Sequence, residues 1–164
     1  MMLDRWMNLA AAVEGNVLAT WLRSSAWGYP AVETLHISGL ALLFGAAVAF
    51  DLRLLGVAPL LPVDGVARFL LPLARIGFGL AILSGLVLFM MQARTFAVMP
   101  LFFIKMAAVA IAVFNTMIFH RGIFMSVGRW RDASRTPPRA QIAAVVSLVC
   151  WALALVCGRF LAYV

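Results

Sequence analysis

The chain has 164 residues, 65% of them hydrophobic and only 12% charged, with a formal net charge of +7. A soluble domain is about half apolar and about a quarter charged, so this composition excludes an ordinary water-solvated domain and predicts a single membrane domain over 1–164. The positive charge does not imply nucleic acid as a partner, because the arginines sit mostly between apolar runs, where membrane topology signals lie. No basic patch interleaved with aromatic residues accompanies them.

In chain order, residues 3–23 predict an amphipathic helix lying in the membrane interface. Leu3, Trp6, Ala10, Val13, Val17 and Trp21 recur at helical spacing, and Asp4, Arg5, Asn8, Glu14 and Asn16 fall between them. The start lacks a basic segment followed by an apolar core, so no cleavable leader is expected. A turn over Ser24–Pro30 follows, with Trp27 and Tyr29 as interfacial anchors and Pro30 suited to open a helix. Four spans are then predicted at about 31–55, 70–91, 100–120 and 140–164, each near the ~20 residues that a bilayer core requires. The expected fold is all-α, a polytopic bundle. Small-residue rows at Ala41/Gly45/Ala49, Ala81/Gly85 and Ala108/Ala112 predict close helix packing. Cys150 and Cys157 share the last span about 10 Å apart along its axis, too far to bond each other, and read as small packing residues.

Lys/Arg placement predicts orientation. The first linker carries Arg53 and Arg68, with Arg75 just inside the second span, while the third linker carries Arg121, Arg129, Arg131, Arg135 and Arg139. The opposite side has Arg5, Arg23, Arg94 and Arg159. The positive-inside rule puts both basic linkers in the cytoplasm, and hence both termini in the periplasm of a bacterial inner membrane.

Ionisable groups within spans are costly and are functional candidates. Glu33, His36, Lys105 and Arg159 come from three spans and should share one depth, roughly 5–9 Å inside the boundary on the side of the termini. His36 suits a metal ligand or a histidine bonded to a neighbouring helix. Gly39, nearly one turn deeper on the same face, would leave room for a flat ring. Lys105 suits ligation through a neutral amine, snorkelling, or an ion pair with Glu33. Arg159 suits snorkelling or neutralising an acidic cofactor group. Glu33-x-x-His36 has the spacing of di-metal bundles in a single copy only, so no dinuclear site is expected. His120 ends the third span on the opposite side and reads as interfacial, and Arg75 reads as snorkelling to the cytoplasmic headgroups. Met90, Met91, Met99 and Met106 could bind copper or fill gaps.

The run Trp27-Gly28-Tyr29-Pro30-Ala31-Val32-Glu33-Thr34-Leu35-His36-Ile37-Ser38-Gly39, with Asp51-Leu52-Arg53-Leu54-Leu55-Gly56 and the closing Gly158-Arg159-Phe160-Leu161-Ala162-Tyr163, resembles a family of small four-helix bacterial membrane proteins of unknown function. More weakly, the chain is similar to HemJ-type protoporphyrinogen oxidases and to CopD-like copper-resistance membrane proteins, which place a histidine early in one span. HemJ-type proteins also carry a lysine early in a later span, and the two residues are implicated in holding haem b. That resemblance implies His36 and Lys105 as the metal ligands. It does not extend to oxidase activity, because Phe44-Gly45-Ala46 and Asp51-Leu52-Arg53 stand where those proteins have Trp-x-Ala-Gly and Leu-Pro-Arg.

Three functions follow as expectations. The first is a haem-b protein of redox chemistry or electron transfer. The second is a copper-handling membrane protein using His36 and the methionines. The third is a structural or accessory subunit of a larger membrane complex, or a homo-oligomer, held by its lipid-facing surfaces.

Overall fold

The computed structural model describes residues 2–129 and 136–163, and Arg131 and Arg135 of the basic linker lie outside them. Every regular element among the described residues is helical. Two short helices, α1 (Met2–Glu14) and α2 (Val17–Ser24), precede the long α3 (Gly28–Leu54) and α4 (Val63–Met91). A single-turn α5 (Ala93–Phe96) leads to α6 (Pro100–Ile118), which runs on through a π turn at Phe119–Ile123 and a 3₁₀ turn at Phe124–Arg129. The final helix is α7 (Pro138–Phe160). Four helical stretches, Gly28–Leu54, Val63–Met91, Pro100–Val127 and Pro138–Phe160, are long and apolar enough to cross a membrane.

The bounds correct the sequence reading in two places. The amphipathic stretch 3–23 is two helices, because Asn16 leaves helical geometry and its side chain accepts the Leu18 N–H as the cap of α2. The second span begins at Val63 rather than near 70, since Pro62 sets an extended backbone just before it and Asp64 suits its first turn. Pro100 and Pro138 open α6 and α7 at positions where the missing N–H costs nothing.

Helices α3 and α4 form the most intimate pair, α6 and α7 the next, and α3 joins the pairs by packing on α7; α4 meets α6 through the stacked rings of Phe89 and Phe102. The α3–α4 crossing is backbone against backbone. A β-carbon on Gly77 would lie 2.4 Å from the Leu43 nitrogen, and one on Gly39 would lie 2.7 Å from the Ala81 nitrogen. The packing rows divide accordingly. Ala108 and Ala112 are fully buried, and so is Ala81. Ala41, Gly45 and Ala49 face outward, with nothing within 4 Å of a β-carbon at Gly45, so that row does not pack.

At one end the core gathers Phe50, Leu54, Val63, Phe119 and Ala144. There the α3–α4 linker is closed by Arg53, itself buried, whose Nε donates to the Leu61 carbonyl at 2.6 Å and whose guanidinium also donates to Pro59 O at 3.2 Å. Gly56 takes φ +103° in this turn, a conformation that β-carbons disfavour. At the other end, α1 and α2 dock on α5 and the close of α4. The Trp6 indole N–H donates to Ala97 O at 3.0 Å, and the Glu14 carboxylate accepts the Arg94 N–H at 2.8 Å. Arg23 donates to Met91 O at 2.9 Å and to Glu14 O at 2.7 Å, satisfying carbonyls that the helix ends leave open.

Candidate functional site

Two residues that the sequence singles out lie toward the end of the bundle where α3 and α6 begin and α4 and α7 finish, each against a different neighbouring helix. His36, half-buried on α3, points at α4. Its Nδ1 lies 3.1 Å from Ser84 Oγ, and its ring rests on Gly85, where a β-carbon would stand 3.0 Å from Cε1. Lys105 on α6 lies against α7, its Cε and Nζ 3.5 Å from where a Gly158 β-carbon would be. His36 is within range of direct electrostatic interaction with both Lys105 and Glu33.

Ser84 fixes the chemistry of the imidazole. A hydroxyl has one proton, and Ser84 Oγ donates it to the Leu80 carbonyl one turn back. Towards His36 the oxygen can then only accept, so Nδ1 carries the ring proton, and the Ala81 carbonyl is a further acceptor nearby. Nε2 is left with its lone pair, the tautomer that a metal requires from a histidine oriented through its other nitrogen.

The other candidates are placed differently. Gly39 lies in the α3–α4 crossing, and the room its missing side chain leaves is filled by the backbone of Gly77 and Ala81. It is a packing glycine, and the ring-receiving glycine is Gly85, which receives the imidazole. Arg159 is exposed, hydrogen-bonded to the Tyr163 hydroxyl with its guanidinium 4.7 Å from that ring's centre. Among the described residues Glu33 and Lys105 form no ion pair, because Lys105 is directed to Gly158 and Cys157. The methionines do not converge, with Met91 in the core and Met106 outward-facing. Both cysteines are free and buried. Among the described residues no group of three or more His, Cys, Asp or Glu side chains is placed to hold a metal ion.

Sequence reasoning missed Ser84 and read Gly85 only as a packing residue; both belong to the second span and carry no charge. Nor did it single out Asp51 of α3, whose side chain is buried and hydrogen-bonded to Ser147 of α7. Its Oδ2 has no partner among the described residues.

No protein-family model matches the chain, and neither the curated proteins nor the solved structures contain a significant match to it. Its class rests on its own architecture: an all-helical, multi-pass membrane protein of four spans, with its first two helices packed on the bundle end to which α7 returns.

Proposed function

We propose that the protein binds haem b through His36 Nε2, with Lys105 as the second axial ligand, and serves redox chemistry or electron transfer in a bacterial inner membrane. The observation that carries this reading is the Ser84 hydrogen bond. It leaves His36 in the ligating tautomer within electrostatic reach of an amine on another helix. The donor set fits the group, since one imidazole and one amine suffice for six-coordinate iron, where a bare metal ion would call for more protein ligands. Bound haem would supply one-electron chemistry. The chain's own residues hold the imidazole in one orientation and keep an otherwise costly lysine between two helices. The positive-inside distribution of arginines supports placing this end of the bundle, with both termini, on the periplasmic side.

A pyridine haemochrome spectrum of the purified protein tests the reading, and a preparation that is colourless and takes up no added haem overturns it. His36→Ala should abolish the spectrum, and Lys105→Ala should shift or abolish it, with both proteins still inserted. Ser84→Ala should loosen haem by about 10- to 100-fold, the usual effect of losing an outer hydrogen bond to a ligating histidine. His120→Ala, at the far end of the bundle, should leave the haem spectrum unchanged. For orientation, a reporter fused after Val164 should be active in the periplasm and one inserted near Ser134 in the cytoplasm. The reverse pattern would move the whole His36 site to the cytoplasmic face.

A further inference from the structure

The half of the bundle remote from His36 encloses a cavity of about 350 Å³ between the four long helices. Its walls are mostly apolar and aromatic, including Phe50, Phe78 and Trp151. The four helices that line it are long and apolar enough to cross a membrane. Two of the polar groups that line it can accept a hydrogen bond from a ligand. One is Asp51, 5% exposed, whose Oδ2 is buried without a partner among the described residues. The other is His120. Its Nδ1 lies 2.9 Å from the Thr116 carbonyl, which can only accept, so that nitrogen carries the proton and Nε2 keeps a lone pair.

A buried acceptor left open costs free energy that a ligand's donor would recover. An inorganic cation or an ammonium would satisfy Asp51, but it would also share the cavity with the Arg75 and Arg121 side chains, which line it too. A neutral hydroxyl donor meets no such repulsion. The volume is at the lower end of the range for small-molecule sites, which suits one substituted ring.

We propose that this cavity binds a membrane-dissolved phenol of the hydroquinone class, its ring among the aromatic side chains and its hydroxyls donating to Asp51 and His120. The assignment stands on this cavity alone and does not depend on haem at His36.

The test is equilibrium binding of tritiated tetramethylhydroquinone under argon to the full-length protein in lipid nanodiscs. Competition with the unlabelled compound and with its dimethyl ether, which has the same ring and no donor, completes it. The expected result is saturable binding, with the dimethyl ether at least tenfold weaker as a competitor. Asp51→Leu should weaken binding by about three- to tenfold, as loss of a hydrogen bond does. His120→Phe, which keeps the ring and removes the acceptor, should weaken it less. The ether comparison uses the unaltered protein, so it holds even if a variant fails to fold. Equal competition by ether and hydroquinone would overturn the proposal. So would non-saturable uptake equal to that of empty nanodiscs, or displacement by a phospholipid or a divalent cation in preference to the hydroquinone.

Discussion

Gly77→Val should prevent the bundle from assembling. The position faces the backbone of α3, with the Leu43 nitrogen 2.4 Å and the Gly39 oxygen 2.8 Å from where the β-carbon would go. No rotamer change relieves a clash with main chain, so the two helices must separate. That removes the most extensive interface in the fold and, with it, the seat of His36 on Gly85. The expected cost is about 3 kcal/mol or more, the upper end of what overpacking incurs. Thermal unfolding in mild detergent, followed by circular dichroism and size-exclusion chromatography, measures it. Gly79→Val is the matched control, two residues along the same helix, where nothing lies within 4 Å of the added carbon. If Gly77→Val unfolds at the same temperature as Gly79→Val, the crossing described above is wrong.

Arg53→Met should also be strongly destabilising. Arg53 is a buried cation whose donors are spent on the Leu61 and Pro59 carbonyls of the α3–α4 linker. Methionine fills much of the same space and leaves those oxygens without their charged donor. Hydrogen bonds to charged groups contribute about 1.5–3 kcal/mol each, so a loss of about 3–6 kcal/mol is expected for the two. Arg53→Lys should rescue little of it, because one ammonium on a flexible stem does not reproduce a two-pronged planar donor. Proteolysis of the 55–62 linker should accelerate in both variants. A linker that stays protected in Arg53→Met would show that Gly56 and the prolines hold the turn by themselves.

The spans were legible because lipid imposes one strict requirement, about 20 apolar residues in a helix that satisfies its own backbone. Their packing was less so. Ala41, Gly45 and Ala49 repeat at the spacing of a contact row and face outward, since small residues are as acceptable to lipid as to a neighbouring helix. The real crossing uses Gly39 and Gly77 on different helices, and no spacing within one helix reveals such a pair. At the site, the shared depth of His36 and Lys105 could be counted from Pro30 and Pro100. Ser84 could not be recognised, because a serine in an apolar helix ordinarily bonds its own preceding turn, as this one does. Its remaining lone pair matters only through what stands opposite. Asp51 and Arg53 stand two residues apart near the end of the first span. The helical turn sends one inward to α7 and the other to the linker.

The docking of the first two helices has a consequence for biogenesis. Trp6, Glu14 and Arg23 bond to Ala97, Arg94 and Met91, partners 91, 80 and 68 residues further along the chain. The segment formed by α1 and α2 therefore cannot complete these bonds until two spans have been synthesised behind it and the turn after the second has emerged. Its polar face and its unsatisfied helix ends must be accommodated in the interval without their final partners, and the clamp then closes on a hairpin already in place. Arg23 is thus the latch of an ordered assembly, and a nascent chain halted before Met91 would carry its amino-terminal helices undocked.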